Sequence, residues 1–150
     1  VQSEAGSYLI LRLPQVAGIT LNNTLLPMFI KNIYHEKHFE IYKDAPRSLI
    51  DVEHVVDIFD KIYSRGCSNK ILNFYPGYSF QPIDLVEEIS RFLGLKPKYN
   101  ILEKYISYDY PSSDIQEEFN SYFTKQQVYL KEVVEKYTPK IINLINQNYK

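Results

Sequence analysis

The 150-residue sequence has one cysteine, five glycines and no tryptophan. Its apolar runs are short, and neither sign of charge dominates. Each scarcity excludes something. Cys67 cannot pair within the chain, so no internal disulfide framework exists, and a reducing, cytoplasmic setting is expected. It lies in a Ser-Arg-Gly-Cys-Ser-Asn turn with no histidine beside it and reads as an incidental thiol. No stretch approaches the roughly 20 apolar residues of a spanning helix, so no membrane partner is expected. With 17 basic and 18 acidic residues the net charge is -1, which argues against nucleic acid or an anionic surface as partner. The 14 tyrosines interleave with lysines, a pattern that can stack on single strands. The acidic residues balance that pattern, and no RNA-binding signature accompanies it. The first seven residues have neither a basic region nor an apolar core, so they are not a secretory signal. They also lack an initiator methionine, and the chain reads as part of a longer protein.

What is present is a pattern of strands alternating with helices. Residues 8–13 are aromatic or branched apolar except for Arg12, and they read as a strand buried on both faces. Pro14 ends it, and Gly18 permits a turn within a loop over 14–23. Leu25, Leu26, Phe29, Ile30 and Ile33 recur at helical spacing, predicting a helix over 24–34 capped by Asn23 or Thr24. Residues 39–43 alternate and read as a short strand, and 44–46 as a turn. A second helix follows 47–50. Val52, Val55, Val56, Phe59, Ile62 and Tyr63 form its apolar stripe, Asp51 or Glu53 lies near its positive end, and Gly66 stops it. Residues 70–75 read as a strand and 81–93 as a helix, with Pro82 in its first turn and Gly94 at its C-cap. Beyond, 100–110 holds a short strand, 114–123 a helix, and 125–147 a helix that Pro139 should kink or split. His35 and His38 have no cysteine or carboxylate signature beside them and read as exposed rather than metal-binding.

In open α/β sheets ligands sit beyond the carboxyl ends of strands, which makes Leu13, Pro14 and Gln15 candidate site residues. The segment Leu-Arg-Leu-Pro-Gln-Val-Ala-Gly18 resembles the strand and loop that open the substrate lobe of extended short-chain dehydrogenase/reductases. These are the NAD(P)-dependent epimerases, dehydratases and reductases of nucleotide sugars. Asn22-Asn-Thr-Leu-Leu-Pro27 and Arg47-Ser-Leu-Ile-Asp-Val52 resemble two further stretches of that family, in the same order. The match runs from about residue 8 to 97 and is best to UDP-galactose 4-epimerase-like enzymes.

The resemblance implies an α/β fold, the C-terminal part of an extended Rossmann-type enzyme. Short parallel or mixed strands would carry flanking helices and a helical tail. It implies a substrate lobe over 1–98, a helical extension of that lobe over 99–150, and an N-terminal Rossmann domain not contained in this chain. Leu13 and Pro14 would approach the nicotinamide of NAD or NADP. Gln15 stands where an asparagine contacts the substrate diphosphate. Thr24 and Leu25 would lie near the nucleotide base, and Tyr42 could stack there or be structural. Arg47 matches the arginine of an Arg-Asp-Phe/Tyr-Ile-His-Val stretch that contacts the diphosphate, for which a planar guanidinium is suited. His54 replaces an aspartate at the start of the next helix. Asn73 falls on a strand resembling an Asn-Ile/Val-Gly segment and reads as structural. The family's second substrate arginine has no counterpart between Lys96 and Asp114, where residues 108–113 would replace its loop.

Two family features are missing. The glycines at 6, 18, 66, 77 and 94 cannot make the Gly-rich turn that cradles pyrophosphate. No tyrosine has a lysine four residues later, the pairing that lowers a catalytic phenol's pKa. The chain alone is therefore expected to be inactive and to bind cofactor weakly. It would contribute sugar positioning to a longer nucleotide-sugar epimerase, dehydratase or reductase, which could be a homodimer. The competing reading is a stand-alone, non-catalytic α/β binding or interaction module.

Overall fold

The computed structural model describes residues 6–106, 122 and 126–148. The chain is α/β, and its strands form three parallel pairs. β1 (Leu9–Arg12) pairs with β5 (Lys70–Asn73), β2 (Gln15–Ala17) with β4 (Leu49–Asp51), and β3 (His38–Asp44) with β6 (Lys98–Tyr105). Parallel partners need a crossover, and helices supply it. α1 (Leu25–Tyr34) separates β2 from β3, α2 (Val52–Ser64) separates β4 from β5, and α3 (Pro82–Leu93) separates β5 from β6. α4 (Gln126–Asn148) closes the described chain.

The β2–β4 pair lies between two apolar cores. Alternation sends Ala17 and Leu49 toward the larger core, with Phe29, Ile30, Leu85, Ile89, Val134 and Ile141 from α1, α3 and α4. Val16 and Ile50 point the other way, into a smaller core with Leu9, Leu11, Ile58, Ile62, Leu72 and Phe74.

Helix ends follow local chemistry. The Asp51 carboxylate accepts the Glu53 N–H at 2.9 Å and caps α2. Gln81 and Asp84 form a reciprocal capping box on α3, and Gly94 ends that helix at φ 65°. Thr24 occupies the N-cap position of α1, but neither it nor Asn23 caps with its side chain.

Several expectations need correction. The first strand is half-buried rather than covered on both faces. The expected loop over 14–23 contains β2: Leu13 and Pro14 separate it from β1, and the Gln15 N–H leads into a different ladder by donating to the Ser48 carbonyl at 3.2 Å. The lead-in to α2 is likewise a strand, β4, and it runs directly into the helix. On α2 only Ile58 and Ile62 are buried, while Val52, Val56 and Tyr63 of the expected stripe are exposed. α4 is not split at Pro139. The exposed Pro139 ring leaves the Glu135 carbonyl, one turn back, on the solvent side of the helix.

β6 starts at Lys98, and α4 shares its core with α1 and α3. The expected helix over 114–123 and the 108–113 loop lie outside the described residues, apart from Tyr122.

Candidate functional site

Leu13, Pro14 and Gln15 follow one another off the carboxyl end of β1. Leu13 is 42% exposed. Gln15 opens β2 opposite Leu49, on the face that carries Ala17 and Asp51, and its side-chain Oε1 is buried with no hydrogen-bond partner. A buried amide oxygen in that state is costly, which makes Gln15 the notable member of the three.

Arg47 sits two residues before β4. Its backbone exchanges two hydrogen bonds of 2.8 Å with Phe80, an isolated antiparallel bridge. Its Nη1 donates to the Ala45 carbonyl at 3.0 Å and the Pro46 carbonyl at 3.1 Å. The Gln81 amide oxygen accepts the Ala45 N–H at 3.3 Å, and the Ile106 N–H donates to the Asp44 carbonyl at 2.8 Å. The turn at 44–46 is therefore tied to the start of α3 and the end of β6. Those ties set the plane of a guanidinium that has five N–H donors in a fixed fork. Because Gln15 N–H bonds to Ser48, the β2–β4 ladder brings Gln15 and Arg47 to the same end of the pair.

The other sequence candidates lie on different elements. Thr24 and Leu25 begin α1, Thr24 exposed and Leu25 packed against the larger core. Tyr42 lies on the outer face of β3 with the Lys104 ammonium 5.0 Å from its ring centre. Asn73 ends β5 beside Arg12. His35 and His38 are exposed, and among the described residues no group of three His, Cys, Asp or Glu could hold a metal.

Sequence reading missed the densest polar cluster. Asp51, 3% exposed, accepts from Lys136 Nζ at 2.7 Å and from the Tyr137 hydroxyl at 2.6 Å, while its own N–H donates to the Tyr129 hydroxyl at 2.7 Å. Lys136 also pairs with Glu53 at 2.7 Å, and His54 Nδ1 lies 3.1 Å from the Tyr129 hydroxyl. Tyr129, Lys136 and Tyr137 are seven and eight residues apart, which sets them on one face of α4. The 85 residues between Asp51 and Lys136 hid the cluster from sequence reading.

A tyrosine beside a lysine invites a proton-transfer role, but the electrostatics oppose it. Burial, reinforced by the Asp51 carboxylate, pushes the Tyr137 phenol up, and burial likewise raises Tyr129. Both stay protonated at neutral pH. Burial alone would raise Asp51, yet Lys136, Tyr137 and the Glu53 N–H outweigh it and hold the carboxyl below its ordinary range. Burial lowers His54, keeping the ring neutral. The cluster locks the β4–α2 junction onto α4. The cap role expected of an aspartate at position 54 is filled by Asp51.

The residues do not fit a dinucleotide cradle. Gly18 and Gly77 each stand alone in a strand-to-helix connection, and α1 starts only at Leu25 and α3 only at Pro82.

The arrangement defines a class by its fold: α/β, matching part of the extended short-chain dehydrogenase/reductase fold. Among solved structures, the chain resembles the UDP-N-acetylglucosamine 4-epimerase of Methanobrevibacter ruminantium M1, seen with UDP-N-acetylmuramic acid (20% identity, TM-score 0.72, 92% of this chain and 47% of that one). It also resembles the dTDP-glucose 4,6-dehydratase of Bacillus anthracis in complex with NAD (18%, 0.61, 88% and 47%). A UDP-galactose 4-epimerase matches as well (16%, 0.63, 85% and 44%). The chain spans slightly less than half the length of each. No family model matches the sequence, and no curated protein matches it.

Proposed function

We propose that this chain is the nucleotide-sugar-holding lobe of an NAD(P)-dependent epimerase, dehydratase or reductase. Residues 1–98 form the lobe proper and 99–150 its helical extension, in a cytoplasmic protein that pairs as a homodimer. NAD or NADP sits chiefly on another domain, with Leu13 and Pro14 at its edge. The observation that carries the reading is the placement of Gln15 and Arg47 at the same end of the β2–β4 pair, in a fold shared with sugar-nucleotide enzymes. Arg47 would grip the diphosphate and the Gln15 amide would bond to it. Thr24, Leu25 and Tyr42 would line the base. The lobe's part in the chemistry is to fix the sugar relative to a cofactor held elsewhere.

A charge-assisted hydrogen bond is worth about 1.5–3 kcal/mol. Arg47→Ala in the complete gene product should therefore weaken binding of UDP-N-acetylglucosamine or UDP-galactose by roughly 10- to 100-fold. Cofactor affinity should barely move. Arg47→Lys should recover only part of the loss, because ammonium keeps the charge and loses the fork. Calorimetric titration with sugar nucleotide and with NADH tests this. Unchanged sugar-nucleotide affinity in folded Arg47→Ala would reduce Arg47 to a turn-stabilising arginine and remove the proposal's main support.

A further inference from the structure

β4 has a second edge. The Ser48 carbonyl accepts the Gln15 N–H, and successive residues of a strand turn their backbone groups to opposite sides. Ser48 and Ile50 therefore face β2, while Arg47, Leu49 and Asp51 face away. Among the described residues no strand covers that far edge. Its backbone groups are nonetheless taken. Arg47 exchanges two backbone hydrogen bonds with Phe80. The Tyr78 hydroxyl donates to the Leu49 carbonyl at 2.9 Å, and the Asp51 N–H donates to the Tyr129 hydroxyl at 2.7 Å.

Register accounts for the first phenol. An antiparallel ladder repeats every two residues in opposite directions, so the rung after Arg47–Phe80 would pair Leu49 with Tyr78. Gly77, at φ 75°, bends the connection there, and only the bridge at Phe80 forms. The Tyr78 side chain makes the second rung in place of its backbone, and Tyr129 of α4 makes the third. The two rings meet edge to face at 5.7 Å, Tyr78 packed against the larger core and Tyr129 buried within it. Burial pushes both phenols up, so both keep their protons at neutral pH.

A single bridge fixes one point on a strand and leaves its direction free. Contacts two and four residues further along set that direction. β2 supplies only three residues on the other edge. The Arg47 guanidinium is tied to the Ala45 and Pro46 carbonyls of its own turn, so it moves with that turn and with β4.

We infer that Tyr78 and Tyr129 are positioning residues for substrate binding: their hydroxyls stand in for a strand on the far edge of β4 and so aim Arg47. This rests on the function proposed above. Neither phenol touches the substrate, and both act through β4.

Calorimetric titration of the complete gene product with UDP-N-acetylglucosamine, and separately with NADH, tests the assignment. Tyr78→Phe keeps the ring and removes the rung. It should weaken sugar-nucleotide binding about 3- to 10-fold and leave NADH affinity unchanged. Tyr129→Phe should act in the same direction. Ile145→Val, a destabilising change in the larger core on α4, should leave both affinities unchanged, which separates aim from general stability. In an Arg47→Ala background Tyr78→Phe should cost less than about 2-fold, because the residue it aims is gone. Unchanged sugar-nucleotide affinity in Tyr78→Phe, with Arg47→Ala still weakened, overturns this inference and leaves the proposed function standing. An undiminished Tyr78→Phe loss without Arg47, or an equal loss in Ile145→Val, overturns it as well. Unchanged affinity in Arg47→Ala removes the proposed function and this inference with it.

Discussion

Asp51 holds two jobs in one carboxylate: it caps α2 and neutralises Lys136 across the lobe. Removing one member of a buried ion pair strands the other and costs roughly 3–5 kcal/mol. Asp51→Ala should approach that loss in urea denaturation. Lys136→Met leaves the buried Asp51 carboxylate without its counter-charge, held only by the Tyr137 hydroxyl and the Glu53 N–H, and should cost a comparable amount. The pH dependence has a definite sign. A carboxyl held below its unfolded value of about 3.9 contributes stability that is present above that value and lost as pH falls through the folded one. Asp51→Asn should therefore flatten the acid limb below about pH 4. An acid limb identical to the parent's would show that Asp51 is not the group responsible. Local chemistry made the cap legible in the sequence, since an acidic residue before an apolar-periodic run reads as a helix start. The lock was illegible because its partners meet only after the chain has folded around both cores. For the candidate site, motif resemblance singled out Arg47 and Gln15. Their alignment depends on the β2–β4 ladder, which three-residue strands are too short to announce.

At the scale of elements, α1 and α3 were legible because most of their apolar residues meet the core, with Phe92 of α3 left exposed. α2 was misread because its outward half is as apolar as its inward half, and periodicity cannot say which sector meets the core. α4 adds a different case. A proline inside a helix removes one hydrogen bond and crowds the preceding turn, at a cost of about 3 kcal/mol. α4 runs through Pro139 because Tyr129, Leu130, Val133 and Val134 before it and Ile141 and Ile145 after it share one core. Tertiary burial outweighs the local penalty. Pro139→Ala restores the N–H for the Glu135 carbonyl and should raise the melting temperature. Each kcal/mol regained is worth about 2–4 °C in a chain of this size. A lower melting temperature would mean that the proline's hold on the unfolded chain outweighs its helical cost.

For the whole molecule, the helix starts decide what the lobe can bind. A dinucleotide's pyrophosphate needs backbone N–H groups at a helix N-terminus, approached through small residues. α2 begins directly at the end of β4, with the Asp51 carboxylate already on the Glu53 N–H and the Glu53 carboxylate in the first turn. α3 begins with Pro82, which has no N–H, and with Asp84 in its first turn. Both starts carry negative charge where an anion would have to sit. α1 has no acidic residue in its first turn, but it is reached through Asn22, Asn23 and Thr24 rather than a glycine-rich turn. The 150-residue chain alone should therefore show no saturable binding of NAD(H) or NADP(H) up to about 1 mM in equilibrium dialysis, an affinity weaker than about 4 kcal/mol. It should retain measurable, Arg47-dependent binding of a uridine diphosphate sugar, because Gln15 and Arg47 are both held by this lobe's own strands and turns. Stoichiometric cofactor binding by the chain alone would mean that it builds a pyrophosphate site without glycines, and the division of labour proposed here would fall.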